Sequence, residues 1–114
     1  MNSSQKATGQ HTRITVNAPV EVRAVDIEGR AISTKGLAIN LSRSGACLRL
    51  GFESPVGAIV AIRWQDELGS YETLTRLRWK QERDGHWQVG VEALDQTYLW
   101  TKLFHFISTK APEK

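Results

Sequence analysis

From Pro19 onward the chain alternates apolar and polar residues in short runs, each closed by turn residues. In PVEVRAVDIEG, Val20, Val22 and Ala24 share one face and Glu21 and Arg23 the other, as a half-buried strand requires. Glu28-Gly29 supplies a turn. AISTKGLAINLS continues as a second strand, with Leu37, Ile39 and Leu41 on the core face and Ala38, Asn40 and Ser42 facing out. GACLRL is a third strand with Ala46, Leu48 and Leu50 in phase, ended by a loop that Gly51, Pro55 and Gly57 mark. AIVAIRWQ is the fourth, with Val60, Ile62 and Trp64 together. After ELGS comes YETLTRLRWK, in which Leu77 and Trp79 face the core while Arg76, Arg78 and Lys80 form a basic stripe on the wet face. Asp84-Gly85 is the strongest hairpin signal of the chain, because both turn positions need positive φ. It leads into WQVGVEAL, where Trp87, Val89 and Val91 share the core face.

The period then changes. In QTYLWTKLFHFIS, Leu99, Leu103 and Phe106 or Ile107 recur at helical spacing, with Asp95 as the expected cap. So wide an apolar face must be buried, and packing across an open end or side of the sheet is the economical solution. The pattern therefore predicts an all-β fold: six short antiparallel strands in a small barrel or sandwich, followed by one C-terminal helix. Residues 1–12 carry no periodicity and read as a flexible N-terminal arm, 13–109 as the domain and 110–114 as a tail.

Composition narrows the function classes. A chain of 114 residues suits one domain with a modest core. The lone cysteine, Cys47, leaves no disulfide to form, and His11, His86 and His105 are scattered across tail, hairpin and helix, so no metal site is expected. No leader and no run long enough to span a bilayer is legible, which makes the cytoplasm the expected compartment. LSRSGA is not a nucleophile elbow and no acid–His arrangement accompanies it, so an enzyme is not expected. With 15 Lys and Arg against 12 Asp and Glu, the formal charge of +3 allows an anionic partner without demanding one.

One turn is more polar than a hairpin needs. INLSRSGACLRL places Asn40, Ser42, Arg43 and Ser44 together around Gly45, whose lack of a Cβ lets backbone approach closely. Asn and Ser at i and i+2 can read the edge of a flat heterocycle, although the same residues also make ordinary turns.

NLSRSG resembles the (D/N)-x-S-x-x-G signature of PilZ domains, with Asn40, Ser42 and Gly45 in the defined places. RITVNAPVEVR is similar to that family's approach to its first strand, and LRLGFESPVGAIVAIRW, the strand ending in Trp79 and the closing VGVEAL resemble its later strands. The likeness runs from about Arg13 to Ile107. It implies a PilZ-type (split) β-barrel and a non-catalytic receptor for cyclic di-GMP, held on the barrel's outer face with no other cofactor. It further implies an R-x-x-x-R motif before the first strand. Arg13 corresponds to its second arginine, and the first falls at Gly9. Losing one bidentate arginine contact is worth about 1–3 kcal/mol, and Lys6 or His11 could replace the charge but not the fork. The residues this resemblance assigns to the ligand are Arg13, Asn40, Ser42 and Gly45, with Arg43 in reach of a phosphate. The expected device is an arm that orders on the ligand and is then read by a protein partner. The alternative is a barrel that has lost its nucleotide and works as a protein adaptor, with Trp100 and Phe104 as an exposed patch. A nucleic-acid polymer, suggested by the basic stripe and the tryptophans, is the least favoured partner.

Overall fold

The computed structural model describes residues 13–95 and 98–110. The expected arm and most of the expected tail lie outside them. Six strands precede one helix: β1 (Ile14–Val25), β2 (Ala31–Leu41), β3 (Gly45–Leu50), β4 (Ile59–Asp66), β5 (Gly69–Arg83), β6 (His86–Ala93) and α1 (Leu99–Lys110). All pairings are antiparallel and the order β1-β2-β3-β6-β5-β4 closes into a barrel. Closure is narrow, since β4 meets β1 only at Glu21 to Arg23. Among the described residues no helix is long and apolar enough to cross a membrane.

β1 starts at Ile14, ahead of the alternation that begins at Pro19, because Val16 and Ala18 already point inward with Val20 and Val22. Asn17 sits at φ 49° where the β1–β2 register shifts, and Pro19 lies where β4 does not pair, the edge position a strand proline occupies. The core combines these residues with Leu41, Leu48, Leu50, Val60, Ile62, Leu77, Val89 and Val91. Asp84 (φ 52°) and Gly85 (φ 85°) make the expected hairpin turn.

α1 seals the barrel with Trp100, Leu103 and Ile107, one apolar stripe at helical spacing. Phe106 reaches Trp64, which stacks on Tyr71 at 5.4 Å, and Lys102 lies 4.7 Å from the Tyr71 ring centroid. Trp100 is not the exposed partner patch that the adaptor alternative needs. It is 1% exposed, and its Nε1–H donates to the Ser42 carbonyl at 2.9 Å. Removing such a side chain costs about 3–5 kcal/mol, so Trp100→Ala would test stability rather than partner binding. Asp95 stands four positions before the first helical residue, Leu99.

The β1–β2 turn has Gly29 at φ 85°, as Glu28-Gly29 leads one to expect, and is braced by Asp26. Its Oδ1 accepts from the N–H groups of Arg30 and Glu28, both at 2.9 Å, while Oδ2 accepts from Arg30 Nε at 3.0 Å. The Arg30 N–H, then that of Glu28 and the Arg30 guanidinium, hold this carboxyl below its ordinary value of 3.8, against the opposing effect of burial. A depressed carboxyl stabilises the fold fully above its ordinary range and loses that contribution as pH falls through the depressed value. Urea midpoints measured from pH 6 down to pH 2 should therefore fall less steeply at the acid end for Asp26→Asn than for the wild type, about one pH region below 4 being decisive. Parallel curves would show that this turn is not held by the ionised carboxylate.

Candidate functional site

The register of the sheet lines up an outer-face row across five strands. Thr15 pairs with Asn40, Asn40 with Cys47, Cys47 with Gly90, and Gly90 with Trp79. A second row runs from Gly45 to Glu92 and on to Arg76. Between these rows lies a shallow cleft of about 160 Å³ lined by Arg13, Ser42, Gly45, Arg78, Trp79 and Glu92.

Two bulges aim this row. In β2 the pairing with β3 slips between Ala38 and Asn40, so Ile39 is the extra residue. Strict alternation puts Leu37, Ile39 and Leu41 inside and Ala38 outside. The bulge instead sends Ala38 (1% exposed) and Leu41 (0%) into the core and leaves Leu37 and Ile39 half-buried. Asn40 does face outward as expected, but the bulge puts it there. In β5 the pairing with β6 slips between Leu77 and Trp79, so Arg78 is the extra residue and both it and Trp79 emerge on the outer face. Trp79 is thus 46% exposed rather than core. Trp87 remains half-buried against the core.

Small residues make the floor. A Cβ on Gly90 would lie 2.0 Å from Trp79 Nε1, so the indole rests directly on that strand. A Cβ on Gly45 would lie 2.3 Å from the Val91 carbonyl oxygen. Gly45 therefore serves the close approach of β3 and β6, and φ there is not positive. Cys47, between Asn40 and Gly90 in the first row, is buried, with Gln88 Nε2 donating to its Sγ at 3.2 Å.

Arg13 lines the opposite side of the cleft, and its Nη1 donates to Oδ1 of Asn40, at the cleft's edge, at 3.0 Å. Ser42 lies beside them but is not presented to solvent. It follows the last residue of β2, so alternation does not govern it, and it is 3% exposed. Its Oγ donates to the Gly45 carbonyl at 3.4 Å and accepts from the Ser44 N–H at 3.3 Å, closing the turn on itself. Arg43 is not brought to this cleft. At the tip of the turn it lines a separate groove with Trp100, Phe104 and His105 of α1.

The basic stripe dissolves into separate contacts. Arg76 Nη1 donates to the Gly57 carbonyl at 2.9 Å, and Arg78 Nε donates to Glu92 Oε1 at 2.6 Å. Past the bulge, Lys80 pairs with Val89 and its ammonium meets Glu53 at 2.7 Å. Trp79 is the cleft residue that alternation misassigns, while Arg78 is exposed as expected. The signal for Trp79 in the sequence is Gly90, since glycine inside a strand marks a bulge or a close approach. Among the described residues no group of His, Cys, Asp and Glu could hold a metal ion.

The sequence profile of the PilZ domain family matches residues 8–106. The chain belongs to the PilZ domain family. Solved PilZ structures share its fold. The PilZ domain of YcgR from Escherichia coli, solved with c-di-GMP, is 16% identical with a TM-score of 0.62, over 93% of this chain and 91% of that one. The PilZ domain of CeSA from a cellulose-synthesizing bacterium is 17% identical with a TM-score of 0.56, over 87% and 97%. The Bacillus subtilis inhibitor of motility MotI/DgrA is 17% identical with a TM-score of 0.56, over 96% of this chain and 54% of that one. No curated protein matches in sequence.

In this PilZ domain the two floor glycines differ in what a methyl group would strike. Gly45→Ala drives a Cβ into backbone and should cost about 1–3 kcal/mol. Gly90→Ala meets only the movable indole of Trp79, so its cost should stay below about 1 kcal/mol while the tryptophan emission shifts to the red. Denaturation midpoints and fluorescence of the two variants check this. Equal destabilisation would mean that the strands, not the indole, sit on Gly90.

Proposed function

We propose that this PilZ domain is a non-catalytic receptor that binds cyclic di-GMP on the outer-face cleft. One observation carries the reading: Arg13 and Asn40 stand side by side, joined by a hydrogen bond, at the edge of a cleft whose other wall is an exposed tryptophan. The guanidinium fits phosphate oxygens or the O6/N7 edge of guanine, the amide offers donors and an acceptor to a base edge, and the indole offers a face on which a base can stack. A cleft of about 160 Å³ is smaller than the roughly 300–1,000 Å³ of complete ligand sites. The segment before Arg13 supplies the missing wall in this proposal: it orders over the dinucleotide, and a protein partner reads the surface so formed. That ordering lowers affinity. Ser42 contributes only after its hydroxyl leaves the Gly45 carbonyl, which makes the signature turn part of the response.

Gly9, at the place of the family's first arginine, favours a second reading in which nucleotide binding is lost and the barrel acts through protein contacts alone. Calorimetric titration with cyclic di-GMP separates the two. The receptor reading expects a saturable isotherm that Arg13→Ala and Asn40→Ala each weaken by roughly five- to a hundredfold, with the variants' melting temperatures near wild type. A flat wild-type titration would leave the adaptor reading standing.

A further inference from the structure

We infer that Arg78 supplies the site's second guanidinium, reaching a ligand phosphate by exchange from Glu92. The inference rests on the cyclic di-GMP reading and names a residue outside the signature and outside the arm. Three observations meet on it. Arg78 is the bulge residue of β5, so it projects beside Trp79 into the same cleft as Arg13. Glu92 lines that cleft too, directly across from Gly45 in the β3–β6 ladder, which puts a carboxylate where a phosphate is to bind. Among the described residues Arg78 is the cation that pairs with it, through Nε at 2.6 Å and Nη2 at 2.5 Å to the same oxygen. Neither Arg76, held at the Gly57 carbonyl, nor Lys80, held at Glu53, lines the cleft.

Magnitudes favour the exchange. The side chains of Arg78 and Glu92 are 57% and 43% exposed, and an exposed ion pair contributes at most about a fivefold factor to an equilibrium. A forked guanidinium contact to a ligand contributes roughly five- to over a hundredfold. Carboxylate and phosphate present the same oxygen geometry to the fork, so Glu92 acts as a stand-in that keeps Arg78 oriented until the dinucleotide arrives. Glu92, once released, faces water and stays solvated. The site thereby recovers the cation that Gly9 does not provide.

The exchange predicts variants of opposite sign at the two partners. In calorimetric titration with cyclic di-GMP, Arg78→Ala should weaken binding by about tenfold or more and Arg78→Lys should restore only part of the loss. Glu92→Gln, which removes both the competitor and its repulsion, should tighten binding by about two- to fivefold, and Arg78→Ala with Glu92→Gln should bind more tightly than Arg78→Ala alone, because the unpaired carboxylate is gone, while staying weaker than wild type. A purely structural ion pair would instead weaken binding in both single variants, and thermal melts of each variant report that effect separately. If the wild type and Arg13→Ala behave as the receptor reading expects while Arg78→Ala binds within twofold of wild type, or Glu92→Gln binds more weakly, the exchange is wrong and the receptor reading survives. A wild type indifferent to the dinucleotide removes both.

Discussion

A single extra residue in β5 decides what the outer face of this barrel is. Side chains of a strand alternate, so a slip of one position exchanges the wet and dry faces for everything beyond it. With no bulge, Leu77 and Trp79 would point the same way and the cleft would lose its aromatic wall. With Arg78 inserted, Leu77 stays at 0% exposure, Trp79 turns out over Gly90, and Arg78 joins it beside Glu92. The shift at Ile39 does the same for Asn40 at the cleft's edge, so the site lies between two interruptions of the ladder. Bulges bend a strand and re-aim its side chains, which is why they gather at functional faces.

The same face is tied to the far side of the molecule through its turn. Gly45 lets β3 lie close on Val91, and Ser42 closes the turn against the Gly45 carbonyl. From below, Trp100 donates to the Ser42 carbonyl and packs with Leu103 and Ile107 into the barrel's end. One residue thus closes the turn through its hydroxyl and meets the helix through its carbonyl. A ligand that claims the Ser42 hydroxyl must compete with contacts worth about 1 kcal/mol each, a cost small enough for a dinucleotide and large enough to move the turn. The groove where Arg43 meets Phe104 and His105 lies at that helix, outside the cleft.

Most of the architecture was legible because hydrophobic period carries it. Six strands, the Asp84-Gly85 hairpin and the terminal helix follow from alternation, turn chemistry and a change of period. What the period could not carry was phase. Alternation assumes an unbroken ladder, so it put Trp79 in the core, Ala38 in water and Lys80 on a stripe with Arg76 and Arg78. The early start of β1 hid behind Asn17 and Pro19, two residues that usually break strands yet are tolerated at a shifted register and an unpaired edge. Trp100 was misplaced for a different reason: a helix periodicity identifies an apolar face without saying which residue bonds to the barrel. The signature of Asn40, Ser42 and Gly45 pointed to the turn beside the outer-face cleft, but it could not show that Ser42 is turned inward or that Arg43 faces the helix.

The most direct measurement is an amide and indole chemical-shift map of the ¹⁵N-labelled chain with and without cyclic di-GMP. The account predicts that the largest changes fall on Asn40, Gly45, Gly90 and the Trp79 indole N–H, with a smaller change at the Trp100 indole relayed through Ser42. Changes confined to Arg43, Phe104 and His105, or to the β1–β4 side of the barrel, would contradict it.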